Sequence, residues 1–285
     1  MVTGPTPPSP SSPRWRPSPL VCGSLGLHAG ALAAVLARPS LWPWALGAVI
    51  ADHALLTAAG LSPRSALLGP NWTRLPQAAA SRGEIAITID DGPDPRITPR
   101  VLDLLEQRGA TATFFCIGER VQRYAELTRE MVRRGHSVEN HSQRHLNYFS
   151  LLGPGRLVAE IERAQDTIAI TTGQHPLFFR APAGLRSPFL DPVLSRLSLR
   201  LASWTRRGFD TVSARPEKVL GKLTRGLGAG DILLLHDGHA ALTGRGMAVI
   251  LEVLPRLLDT LAAADLTPVT LRAALVADGL QGRAA

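Results

Sequence analysis

Hydrophobic and polar positions divide the chain into three regimes. Residues 1–19 are rich in Pro, Ser and Thr, carry Arg14 and Arg16, and show no apolar periodicity, which predicts a disordered basic leader. Residues 20–61 hold two apolar stretches: 20–37 has no formal charge, 41–61 contains Asp52 and His53, and Arg38-Pro39-Ser40 joins them. Each stretch is about as long as a bilayer span requires, roughly 17–25 residues, so the short joint predicts a transmembrane helical hairpin. A signal peptide, or two Ala-rich helices packed on a soluble domain, would share this composition. Equal depth on antiparallel helices would set His28 against Asp52 or His53. Residues 62–82, punctuated by Pro63, Gly69-Pro70 and Pro76, read as a linker.

The third regime, residues 83–285, alternates short β-rich runs with amphipathic ones. Strands are predicted over 84–90, 110–117, 136–140, 177–180, 199–204, 231–236 and 268–271. Helices are predicted over 98–107, 119–134, 156–171, 187–197, 215–227, 247–264 and 272–278. About seven βα units in succession imply α/β architecture, a parallel sheet covered by helices.

The formal charge of +8 is carried almost wholly by arginine, Lys218 and Lys222 being the only lysines. Such a surface favours anionic lipid or phosphate; no nucleic-acid motif accompanies it, so nucleic acid is not an expected partner. Cys22 and Cys116 are the only cysteines, one in an apolar stretch and one in a predicted core strand, which argues against a disulfide framework.

Polar groups collect where predicted strands end, and ligand sites of parallel sheets lie at those ends. The first strand runs into Asp90-Asp91-Gly92-Pro93, in "AITIDDGPDP". Asp, Gly and Pro are ordinary turn formers, but adjacent carboxylates leaving a buried strand need partners. The third strand runs into "ENHSQRH", with His141 and His145 spaced i,i+4; this spacing predicts both imidazoles on one face of a helical turn. With one carboxylate they would make a three-ligand metal set with open positions, as in catalytic zinc sites. Ser142 stands where a zinc protease of the HExxH type has glutamate. Arg180 lies in "FFRAPAG" and His236 in "ILLLHDG". Either one alone would suit a structural ion pair or a hydrogen-bonded core histidine.

"TIDDGP", "HSQRH", "FRAPAG" and "LLLHD" in this order, with "ATFFCIGE" over 112–119, resemble the NodB-homology polysaccharide deacetylases, metal-dependent carbohydrate esterases. The resemblance covers residues 84 to about 275. It implies a distorted (β/α)7 barrel following the apolar hairpin. It also implies a hydrolase acting on carbon–nitrogen, non-peptide bonds, which removes an N-acyl, typically N-acetyl, group from an amino sugar. Carried over residue by residue, it makes Asp91, His141 and His145 ligands of one divalent metal, zinc first, with cobalt or another divalent ion as alternatives. Asp90 becomes the general base, Arg180 the group that orients it and holds it ionised, and His236 the general acid. Backbone groups at Ala181 and Ala183 would face the oxyanion, and Leu234 would line an acetyl-sized pocket.

Two positions depart from the family pattern. Ala183 stands where the family usually has Tyr or another large residue. In "SWTRRGFD", Arg207 stands where an acidic partner of the catalytic histidine is usual, leaving Asp210 and Asp237 as substitutes. The expected partner is an N-acylated amino-sugar polymer. A membrane deacylase or deformylase acting on a lipid-linked saccharide, and an inactive membrane-tethered saccharide-binding homologue, are the alternatives. A two-span hairpin keeps leader and catalytic domain on one side; Arg14, Arg16, Arg64 and Arg74 flank it there, against Arg38 in the turn. That balance favours the cytoplasmic face of a bacterial inner membrane.

Overall fold

In the computed structural model, which describes residues 15–281, the chain forms a curled parallel sheet wrapped by helices and preceded by a helical hairpin. The leader expected over 1–19 lies outside the described residues up to position 14. The strands are β1 (Glu84–Asp90), β2 (Thr113–Cys116), β3 (Ser137–Asn140), β4 (Phe178–Phe179), β5 (Arg200–Leu201), β6 (Arg206–Arg207), β7 (Ile232–His236) and β8 (Thr267–Pro268). Seven pair in parallel in the order β5-β4-β3-β2-β1-β7-β6, and β8 joins the first two residues of β1.

The strand expected over 199–204 is instead split. β5 pairs with β4, and five Cα steps later β6 pairs with β7. Five steps span at most about 18 Å, so this one stretch draws the two edges of the sheet together and curls it. The chain around Trp72 completes the seam: the Trp72 N–H donates to the Leu201 carbonyl, Ser203 N–H donates to the Trp72 carbonyl, and Leu75 N–H donates to the Gly230 carbonyl. Residues 62–82, expected as a linker, thus pack as barrel wall, with Leu68, Leu75 and Ala79 buried.

Strand pleat sorts side chains onto two faces with period two. Ile85, Ile87 and Ile89 of β1, Phe114 and Cys116 of β2, and Leu233 and Leu235 of β7 point outward. There they meet helical residues such as Val101, Leu105, Leu254 and Leu257 in the larger core. The opposite residues, among them Ala86, Phe115, Phe178, Ile232 and Leu234, fill the barrel interior. Leu75, Ala79, Leu271 and Ala274 close that interior core from the sequences flanking the barrel. The helix expected over 119–134 breaks at Tyr124 into Gly118–Arg123 and Ala125–Arg133.

The hairpin consists of α1 (Pro19–Ala37) and α2 (Trp42–Leu61), both long and apolar enough to cross a membrane. Leu25, Leu32, Leu36, Ile50 and Leu55 are exposed on it. Between the helices, Ser24 Oγ donates to Asp52 Oδ2 at 2.7 Å, and His28 Nε2 lies 3.2 Å from His53 Nε2. The hairpin is fastened to the barrel at its base, where the Arg186 N–H donates to the Gly60 carbonyl and Trp15 Nε1 donates to Asp191.

Because Leu75 is part of the wall, Leu75→Ala should cost about 2–5 kcal/mol, as for other buried leucines. The urea midpoint of the full chain reads this. A loss below about 0.5 kcal/mol, normal for an unpacked surface position, would mean that the segment only tethers.

Candidate active site and metal centre

The pleat parity that fills the barrel interior also aims polar side chains at its carboxyl end. Ala86, Thr88 and Asp90 share the inner face of β1, and Ile232, Leu234 and His236 that of β7. Continuing the same alternation past β3 and β4 places His141 and Arg180 on that face. Asp90, His141 and His236 border a cleft of about 540 Å³ that also reaches Asp91, His145, Ala183 and Leu234, with Arg180 buried behind Asp90. Ala181 is instead buried with Phe179 and Leu190 in an apolar cluster behind the cleft.

Arg180 is enclosed, with 1% of its surface exposed. It donates to Asp90 Oδ1 at 2.7 Å, to Thr88 Oγ1 at 2.8 Å, and to the carbonyls of Ala202 and Ser203 at 3.1 and 2.7 Å. The guanidinium lies 4.1 Å from the centre of the Phe115 ring. Asp90 is therefore fixed through Oδ1, while its Oδ2 lies 3.9 Å from His141 Nε2.

Asp91 faces elsewhere. Its Oδ1 lies 3.3 Å from the Nε2 atoms of both His141 and His145, and the three residues can bring one ligand atom each within 4.8 Å of the others. The helical turn expected for the histidine pair is absent: Ser142 and His145 both have left-handed backbones, with φ of 62° and 52°. Side chains replace the helical hydrogen bonds. Ser142 N–H donates to Asn140 Oδ1, His145 N–H donates to Ser142 Oγ, and Arg144 N–H donates to Glu160. The imidazoles nonetheless converge, with ring centres 4.9 Å apart.

This donor set fits a cation. His141 Nδ1 lies 2.8 Å from the Arg180 carbonyl, which can only accept, so Nδ1 carries the proton in the neutral ring. Nε2 then presents a lone pair to a carboxylate oxygen, so two acceptors meet, an arrangement that a cation would reconcile. Asp91 Oδ1 is buried and has no hydrogen-bond partner. Burial pushes the Asp91 carboxyl up, but the neighbouring imidazoles, His141 and His239 foremost, outweigh it and hold the group well below the usual carboxylate range. Burial pulls His145 down to about 4, which keeps it neutral, the form a metal ligand requires.

Opposite, His236 Nδ1 meets Asp210 Oδ1 at 2.9 Å, and the His236 backbone N–H donates to Asp210 Oδ2 at 2.7 Å. Burial lowers the His236 pKa, yet the hydrogen bond and charge of Asp210, helped by Asp90 and Asp91, raise it above 6.5. Of the two candidate partners, Asp210 is the one beside His236. Asp237 bonds to Thr98 Oγ1 instead, and burial pushes its carboxyl up to about 7. It also explains a glycine: a Cβ on Gly92 would lie 2.5 Å from Asp237 Oδ1, and one on Gly238 would lie 2.2 Å from the Asp91 carbonyl. His239, not singled out from the sequence, contacts Asp91 Oδ2 through Nδ1 at 2.9 Å. Its signal was a second histidine three residues after His236, in "LHDGH".

Residues 77–202 match the family model for polysaccharide deacetylase. The chain is 36% identical over 175 residues to a peptidoglycan-N-acetylglucosamine deacetylase of Bacillus cereus, covering 61% of this chain and 81% of that one. It is 33% identical to a chitooligosaccharide deacetylase of Azorhizobium caulinodans, covering 55% and 75%. Among solved structures, a family 4 carbohydrate esterase from Streptomyces lividans, in complex with acetate, superposes with a TM-score of 0.60 at 32% identity, covering 65% and 91%.

Asp210→Asn removes the charge that raises His236. In metal-free protein the titration midpoint of the His236 ring, followed by NMR, should move down relative to the wild type. An unmoved midpoint would exclude Asp210 as the source.

Proposed function

We propose, because this chain belongs to the polysaccharide deacetylase family, a metal-dependent hydrolase that removes N-acetyl groups from amino sugars of the kind that build cell-wall and chitin-type glycans. The observation that carries the reading is the Asp91–His141–His145 set facing two differently paired groups, Asp90–Arg180 and His236–Asp210, across one cleft.

Asp91, His141 and His145 would hold one divalent cation, zinc first. When bound, such an ion supplies Lewis-acid chemistry, lowering the pKa of water and polarising a carbonyl. Asp90, oriented by Arg180, takes a proton from the attacking water at Oδ2. The water oxygen adds to the acetyl carbon, and backbone N–H groups of the loop over 180–184, with Ala183 on the cleft wall, balance the charge on the former carbonyl oxygen. His236 donates a proton from Nε2 to the sugar nitrogen while Asp210 holds Nδ1, and the carbon–nitrogen bond breaks to give acetate and an amine. Leu234 lines the space for the acetyl methyl.

Acetate release from chitooligosaccharides and peptidoglycan fragments should stop on chelation and return with zinc or cobalt. His141→Ala and His145→Ala should lose the metal by elemental analysis. Asp90→Asn and His236→Ala should keep it and lose about 10²–10⁴ in kcat, the range for a general acid or base. Stoichiometric metal in both histidine variants would refute the ligand set. Turnover within about twofold of wild type would remove Asp90 or His236 from the mechanism.

The hairpin is read here as a membrane anchor. Its exposed leucines and Ile50 have no cover among the described residues, and Trp42 and Trp44 at the turn, with Trp15 at the base, suit interfacial positions. The arginines on the barrel side, Arg16, Arg64 and Arg74 (and Arg14, outside the described residues), outnumber Arg38 in the turn, which favours catalysis at the cytoplasmic face. A C-terminal alkaline phosphatase fusion should be inactive; strong phosphatase activity would place the domain outside.

A further inference from the structure

Beside the catalytic cleft lies a second groove of about 540 Å³, and Trp204 and Arg207 line both. The second groove is lined by Arg64, Arg206, Arg207, Lys222 and Arg225 and by no carboxylate. Arg206 is already engaged, bonded to Asp231 and to the carbonyls of Arg225 and Gly226. Arg64 donates only to the Thr205 carbonyl. Arg207 Nε is buried without a hydrogen-bond partner. Its guanidinium lies 5.5 Å from the Trp204 ring centre and 5.0 Å from that of Phe209, with Lys222 Nζ 4.0 Å from the same Phe209 ring. Cations gathered in this way repel one another, and an anion relieves the repulsion. A guanidinium held between two rings has less freedom to lose on binding, which suits the bidentate grip that arginine makes on phosphate.

The place of the groove says which phosphate. Pro63 and Arg64 line it, and they follow the last residue of α2, Leu61, by two and three positions, within about 7–11 Å along the chain. The segment is pinned there: Ser203 Oγ donates to the Pro63 carbonyl at 2.6 Å, and a Cβ on Gly184 at the cleft would lie 2.8 Å from Pro63 Cβ. The groove therefore sits between the base of the apolar hairpin and the cleft where an acyl group would be cut. Arg207 occupies the position at which the family resemblance calls for an acid, so the cleft gains a cation on its groove side.

Resting on the hydrolase reading above, we propose that this groove binds the phosphate or diphosphate joining an amino sugar to a lipid carrier. The substrate is then an N-acylated amino sugar still attached to its glycolipid, deacylated at the membrane surface. Arg207 acts as the specificity residue between cleft and groove.

The test uses the full chain in detergent and three forms of N-acetylglucosamine: farnesyl-diphosphate-linked, uridine-diphosphate-linked and the methyl glycoside. Both diphosphates should exceed the methyl glycoside in kcat/KM by at least about tenfold, the worth of a charge-assisted hydrogen bond. The double variant Lys222→Gln/Arg225→Gln should collapse that ratio. Both positions are exposed, where substitutions leave folding nearly untouched, and a ratio taken within one variant cancels any loss of active protein. Equal kcat/KM on all three, a preference that survives the double variant, or a preference for the farnesyl compound alone would each overturn the groove. Acetate from none of the three would instead refute the hydrolase reading itself.

Discussion

The enclosed guanidinium of Arg180, ion-paired to Asp90 and bonded to Thr88 and to the carbonyls of Ala202 and Ser203, ties the cleft together. Taking two charges out of water costs several kcal/mol per ion, and the cost is offset only where geometry and hydrogen bonding are complete. Removing one member of such a pair typically costs about 3–5 kcal/mol. Arg180 meets that demand by drawing on β1 and on the chain leaving β5, so its position depends on the curl of the sheet. Its own carbonyl then orients His141. One residue links the wall, the carboxylate of Asp90 and one imidazole of the candidate metal set.

Adjacent carboxylates acquire different characters from this frame. Asp90 has its charge answered by arginine and is turned inward by strand pleat. Asp91, one residue on, has left the strand with φ of 73° and answers only to histidines. Environments that separate two neighbouring carboxylates are what acid–base chemistry near neutrality uses. On the far wall, Asp210 does for His236 what Arg180 does for Asp90, holding one atom and leaving the other free.

Much of this was legible along the chain because it depends on local pattern. β1 and β7 are continuous apolar runs with turn residues after them, and their ends announced Asp90, Asp91 and His236. The seam was harder to read. Trp72 and Leu75 sit among prolines and glycines, so composition reads as linker, and only pairing with Ala202 and Gly230, 130 and 155 positions away, makes them wall. The two-residue strand β6 is too short to carry a period. The pair His141 and His145 has helical spacing, but Ser142 and Asn140 offer side-chain acceptors that compete with helical backbone bonds. The choice between Asp210 and Asp237 could not be made from spacing. Asp237 is adjacent to the histidine, yet pleat sends it to the other face.

That alternation has a consequence for how the gene can change. Because the side-chain period in a strand is two, the loss of a single codon within β7 would exchange its faces. Asp237 would then stand opposite Asp210, carboxylate against carboxylate, and the imidazole would be carried among the outer helices. The same loss in a surface loop would pass almost unnoticed. Lineages of this barrel should therefore tolerate length variation between strands, and inside β1 or β7 only where shifts come in pairs.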